Sequence, residues 1–434
     1  MKAPLILPSA IVSLCLLIFS SDARAQFDYI DGWRGQLFPS YIIATATMHE
    51  GQDIPEGTVE GEDPNGEAPA EGDPEPADPD GEPENEPEIV ENVLGDPDTK
   101  RLLGVVVTAP ENDTPIQVEI EAEGVLGRSV WSGVLEEADV EYTIYPSLKF
   151  NFKSLIANTQ SIPLAVTFRV TMGDEEPVEH TVNTTLRSIN DCPFALIYDK
   201  DDVEDISYMF AAYVNEQHPF VDKVLREALN RGIVDSFTGY QTNDPGEVLK
   251  QVYAIWDVLS RRDVRYSSIT ESAVVNQMVH SQHVRMIDQT INNAQANCVD
   301  GSALFASVLR KIGIHPALIL VPGHCFLAYS SNPEGTGWVG LETTLIGNKT
   351  IQVGPDPEGD MIVGPKWAKE RSWETFRAAV STGNKRLQDD KDKLTQDNSI
   401  AYQIIPIAGA RQKGILPIAF DSSEQFRSAK GRTE

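Results

Sequence analysis

Cys298, His324 and Glu342 are the three residues of this chain whose types and spacing suit covalent chemistry. A thiolate is a nucleophile, an imidazole takes and returns a proton, and a carboxylate orients the imidazole and stabilises its cation. Together they serve acyl transfer through a thioester. Cys298 opens the segment Asn297-Cys298-Val299-Asp300-Gly301, which continues with Leu304, Phe305, Val308, Leu309 and Ile312 at helical spacing and stops at Gly313. A thiol at the start of a buried helix lies at the positive end of the helix dipole, where the thiolate is favoured. The bland reading of a lone cysteine is a buried apolar residue, and only the company of His324 and Glu342 lifts Cys298 above it.

The elements that must position these groups follow in order. Pro316 to Tyr329 reads as a strand, a Pro322-Gly323 turn and a second strand beginning with His324. A period of two puts His324, Phe326 and Ala328 on one side and Cys325, Leu327 and Tyr329 on the other. Beyond a loop rich in Asn, Pro and Gly, Trp338 to Glu342 returns as a strand with Trp338, Gly340 and Glu342 on a common face. The three groups converge if His324 and Glu342 share the side packed on the Cys298 helix. A side-chain donor for the oxyanion is sought among Gln282, Gln295 and Asn297, and the sequence does not choose between them. His283 reads as solvent-facing, His315 as a surface residue before a proline, and Cys192 and Cys325 as core thiols. The pair His324-Cys325 lacks companion ligands for zinc, so no metal and no cofactor is expected.

A Cys at a helix start, a Gly-His at a strand start about 26 residues on, and an acid preceded by Trp on the next strand together resemble the transglutaminase-like (papain-like cysteine enzyme) superfamily. The likeness extends over Gln282-His283-Val284-Arg285, Cys298 to Ile314, Val321-Pro322-Gly323-His324 and Glu342-Thr343-Thr344. Ala410 to Pro417 is similar to the closing segment of a bacterial branch. The resemblance implies an α+β papain fold over 198–420, with Cys298 as nucleophile, His324 as general base and then acid, and Glu342 orienting the imidazole. Many members carry Asp where this chain has Glu342. It further implies a protein or peptide substrate attacked at an amide bond, with hydrolysis or transfer to an amine as the outcome. The alternative is a catalytically inactive copy of the fold serving as a protein-binding or envelope assembly module.

A chain of 434 residues exceeds one hydrophobic core. Residues 1–25 read as a signal peptide, with an apolar run from Leu5 to Phe19 and the small-x-small site Ala23-Arg24-Ala25, so a secreted or periplasmic protein of a bacterial envelope is expected. No later apolar stretch is long enough for an integral membrane segment. The three remaining cysteines are too few for a disulfide scaffold. Residues 26–49 form a short aromatic segment left unassigned. Seventeen acidic residues and no Lys or Arg lie between Glu50 and Glu91, so 50–99 reads as a disordered acidic Pro/Gly-rich linker. Strand-like runs at Leu103–Thr108, Ile116–Ala122, Val140–Ile144, Leu164–Thr171 and Val178–Thr185 suggest an antiparallel, immunoglobulin-like β-sandwich over 100–197. Helices are expected at Val203–Asn215, Phe220–Arg231, Pro245–Arg261 and Val299–Ile312, and 421–434 reads as a polar tail. The net charge of −31 argues against nucleic acid as a partner.

Overall fold

The computed structural model describes residues 27–48, 92–96, 102–199, 202–267, 279–351, 359–396 and 399–419. The expected signal peptide, most of the acidic linker and the polar tail lie outside the described residues. The architecture is mixed α/β, with strands dominating the first half and helices entering in the second.

The first half comprises β1 (Phe27–Asp31), β2 (Gln36–Leu37), α1 (Pro39–Ala44), β3 (Asn92–Gly95), β4 (Leu103–Thr108), β5 (Thr114–Ala122), β6 (Leu126–Leu135), β7 (Glu141–Tyr145), β8 (Lys149–Phe150), α2 (Phe152–Ala157), β9 (Ile162–Met172) and β10 (Val178–Leu186). They form two sheets, ordered β1-β4-β7-β3 and β2-β10-β9-β5-β6-β8. Period-two alternation sets the buried face: in β9, Leu164, Val166, Phe168, Val170 and Met172 are buried, whereas Thr167 and Arg169 turn outward. Val105, Val107 and Ile144 of the first sheet and Val118, Ile120 and Phe168 of the second belong to one continuous core.

Two expectations change here. The unassigned aromatic segment supplies β1, antiparallel to β4, and β2, parallel to β10, so it completes both sheets. The expected linker also gives up its last part to a sheet. Asn92–Gly95 lies inside the stretch 50–99, yet it forms β3 parallel to β7, with Leu94 reaching the core.

The second half contains β11 (Asp191–Asp199), β12 (Asp202–Asp205), a 3₁₀ helix (Ser207–Tyr213), α3 (Pro219–Arg231), α4 (Pro245–Arg261), β13 (Arg265–Tyr266), β14 (Val279–His283), α5 (Ile287–Asn293), β15 (Gln295–Ala296) and α6 (Cys298–Lys311). Then follow β16 (Pro316–Val321), β17 (His324–Ser330), β18 (Trp338–Leu341), a 3₁₀ turn (Thr343–Leu345), α7 (Gly359–Ile362), α8 (Arg371–Asp389), α9 (Lys391–Leu394), β19 (Gln403–Pro406) and α10 (Ile407–Gln412). The helix expected over Val203–Asn215 is instead a strand followed by a 3₁₀ helix. Val203 and Glu204 pair with Ile197 and Leu196 of β11, and that ladder outcompetes local helix formation.

The last sheet runs β18-β17-β16-β19, antiparallel throughout. Leu318, Cys325, Leu327, Tyr329 and Leu341 join Leu304, Phe305 and Val308 of α6 in the main core. Ala317, Ile319, Val321, Phe326 and Ala328 form a second core with Leu394, flanked by Trp338 and Leu387. Among the described residues, no helix is long and apolar enough to cross a membrane.

Candidate active site

Matched lengths bring the site together. The 14 residues of α6 rise about 21 Å at 1.5 Å each, and the six residues of β16, which pack back along it, span about 20 Å. Reversal through Gly313, in the left-handed region at φ 79°, therefore returns the end of β16 to the start of α6. A two-residue turn follows, with Val321 paired to His324. Gly323 takes φ 68°, which a type II turn requires after Pro322. His324, first residue of β17, is thus level with Cys298, first residue of α6. Leu341 pairs with Leu327, so Glu342, one residue past β18, lies beside the start of β17.

The helix start is held rigidly. Asn297 Oδ1 accepts the Asp300 N–H at 2.8 Å, and Asp300 Oδ2 accepts the Asn297 N–H at 2.9 Å, a reciprocal capping box. Asp300 is buried and also accepts from the Arg285 N–H at 2.8 Å and from Arg285 Nη1 at 2.7 Å. Burial raises the Asp300 pKa, against the opposing pull of these donors. Ser302 Oγ donates to the Cys298 carbonyl at 2.8 Å and lies 3.1 Å from Thr343 Oγ1. A Cβ on Gly301 would stand only 3.2 Å from the same Thr343 oxygen, so the first turn of α6 seats closely on the 3₁₀ turn.

The three candidate residues meet. His324 Nε2 is 2.9 Å from Glu342 Oε2, which leaves Nδ1 as the ring nitrogen open to Cys298, the other side chain that raises the imidazole's pKa. Glu342 is 2% exposed; its Oε1 accepts from the Thr344 N–H at 3.3 Å and hydroxyl at 2.6 Å, and Arg386 Nε stands 3.0 Å from Oε2. Burial works against charging the imidazole, but the hydrogen bonds and charges of Cys298 and Glu342 outweigh it and push the His324 pKa up to about 9. Burial likewise opposes ionisation of Glu342, yet His324, Thr344 and Arg386 together hold its carboxyl below the ordinary value.

The face packed on α6 carries Cys325, Leu327 and Tyr329, whereas His324 follows the opposite alternation, its ring stacked at 6.3 Å over Phe326. Convergence therefore occurs at the end of the sheet, where helix and strand both begin, and not across the helix-packed face.

The oxyanion candidates have other engagements. Gln282 donates its amide to the His283 carbonyl at 3.0 Å. Asn297 donates to the same carbonyl at 3.2 Å while capping α6. Gln295 is exposed on β15, paired in register with Arg265. His283 is not solvent-facing: β14 pairs it with β11, and its Nδ1 lies 3.6 Å from Asp191 Oδ1. His315 is exposed beside Tyr240. Cys192 and Cys325 are buried free thiols, and burial holds both well above the usual thiol range. Sequence reasoning missed Arg386, because the helix carrying it was not read. Its signal was the helical spacing of Trp373, Phe376, Val380 and Gly383. Comparison of the chain with protein-family models and with curated proteins finds no match.

Proposed function

We propose that this protein is an exported cysteine enzyme of the transglutaminase-like, papain-fold type, preceded by an immunoglobulin-like β-sandwich, and that it cleaves or transfers the acyl group of an amide or peptide bond. The observation that carries this reading is one junction: Cys298 opens α6, His324 opens β17 and has its pKa raised by Cys298 and Glu342, and Glu342, one residue past the end of β18, stands 2.9 Å from His324.

In the reaction, the Cys298 thiolate attacks the carbonyl carbon and a C–S bond forms. As the first helical residue, Cys298 has a backbone N–H with no intrahelical partner, and that N–H is available to the developing oxyanion. The His324 imidazolium gives its proton to the leaving amine as the C–N bond breaks, leaving a thioester. The neutral imidazole then takes a proton from the incoming water or amine, which attacks the thioester carbon and releases the thiolate. Glu342 fixes the ring and stabilises its cation. The leader-like first 25 residues support export.

The test is the rate of iodoacetamide labelling of Cys298 between pH 5 and 9, beside His324→Ala. Fast labelling near pH 6 that is lost in the variant is expected, because a His-paired thiolate reacts well below the unperturbed thiol range. Slow labelling that the variant leaves unchanged would defeat the enzyme reading and favour a binding module.

A further inference from the structure

Helix α8 is docked against the site by contacts that leave no freedom of register. The backbone N–H of Glu342 donates to the Ala379 carbonyl at 3.0 Å, and the Gly340 N–H donates to Asn384 Oδ1 at 2.8 Å. Gly340 and Gly383 touch so closely that a Cβ on either would fall 2.3 Å from the other's carbonyl carbon. Arg386 lies seven residues beyond Ala379, two helical turns along the same face. Its Nε stands 3.0 Å from Glu342 Oε2, the oxygen that His324 also uses, as a charge contact rather than an aligned hydrogen bond.

We infer that Arg386 is a positioning residue for the proposed acyl transfer: it fixes the Glu342 carboxylate and tempers its hold on the His324 imidazolium. The inference rests on the Cys298/His324/Glu342 reading. Two cations share one buried oxygen, so each weakens the other's attraction to it. Without Arg386 the carboxylate would bind the imidazolium alone and more tightly, and the proton destined for the leaving amine would be held back. The other charged or titratable groups around the imidazole are Cys298 on α6, the Asp300–Arg285 pair behind it and Cys325 next along β17. None of these touches Oε2. Arg386 also sits in the last turn of α8, where a cation suits the helix dipole, but that role would be indifferent to the titration of His324.

The experiment compares the pH profile of iodoacetamide labelling at Cys298, from pH 5 to 10, in the full chain and in Arg386→Met, Arg386→Gln and Arg386→Lys. The two neutral variants are expected to move the alkaline inflection upward by about half a unit to one unit, a range reduced for the solvent reaching Arg386. Arg386→Lys should keep the inflection near that of the unsubstituted protein. Melting curves identify the neutral variant that folds, and a folded neutral variant whose profile overlays the parent would overturn the role of Arg386 alone. A parent thiol inert at every pH would overturn the acyl-transfer reading and the role of Arg386 with it.

Discussion

Two buried glutamates, one in each half of the molecule, are wired differently. Glu119 on β5 is 5% exposed and spends both oxygens on permanent partners: Arg128, Arg169 at 3.0 Å and the Gln117 amide at 2.6 Å. The Arg128 hydrogen bond leads in holding its pKa down at about 2, against burial. Glu342 is as little exposed, but one of its oxygens serves His324, whose ring, unlike a guanidinium, can give up its proton. A buried carboxylate closed by arginines is a lock. Facing an imidazole, it has a partner that can exchange its proton, and what separates the two is the chemistry of the partner rather than the exposure of the carboxylate.

Breaking the comparison on the side of the site has the largest consequences. Cys298→Ala should remove labelling and acyl-transfer activity completely while leaving the melting curve close to that of the parent, since the thiol is only partly buried. His324→Ala should slow labelling at pH 6 by about 10²-fold or more, the usual weight of a lost acid-base partner. Glu342→Gln should slow it by about tenfold and bring the alkaline inflection down from about 9, because a neutral amide no longer stabilises the imidazolium. An inflection that stayed in place would separate Glu342 from the titration of His324.

On the other side, Glu119→Gln should leave labelling untouched and lower Tm by roughly 2–4 °C. The loss is kept modest because Arg128 is largely in solvent. The folded pKa of Glu119 is depressed, so its stabilisation is present above about pH 4.5 and lost as pH falls toward about 2. The Tm difference between parent and variant should close over that interval. The smallest effect is the stability contribution of His324. Its folded pKa is raised, so the contribution is full below about pH 6.5 and disappears as pH rises through about 9. The Tm gap between parent and His324→Ala should shrink across that window; a gap that widened would contradict the raised pKa.

Much of this arrangement was legible in the sequence wherever one local rule dominated. Pro245–Arg261 matches α4 to the residue, because Asp244 caps it, Pro245 starts it and its apolar stripe is continuous. The hairpin holding His324 was readable from Pro322-Gly323 between apolar runs. The strand β6 was missed because Gly127 and Gly133 interrupt its alternation, and Gly133 is needed there to clear the Trp131 ring. Helix α8 was missed because its stripe is thin and passes through Gly383, a residue chosen by the close approach of Gly340 rather than by helix propensity. The strand before the 3₁₀ helix at Ser207–Tyr213 pairs with β11, its immediate neighbour in the chain, and was missed because Asp202-Val203-Glu204-Asp205 carries a single apolar residue and so shows no strand-like alternation. The meeting of Cys298, His324 and Glu342 depended on lengths rather than on facing sides, so alternation alone placed their convergence on the wrong part of the sheet.

The edge strand β19 pairs with β16 through Leu318–Ile405 and Ile319–Ile404, far along the chain from the hairpin it completes. At roughly 5–20 residues per second, a ribosome that has just added His324 needs roughly 4–16 s to reach Gln403. The thiol and the imidazole therefore exist in the growing polypeptide before Arg386 and the outer strand do. Assembly of this cluster is a late event in the life of each nascent molecule, completed only when the last stretch of sheet is laid down.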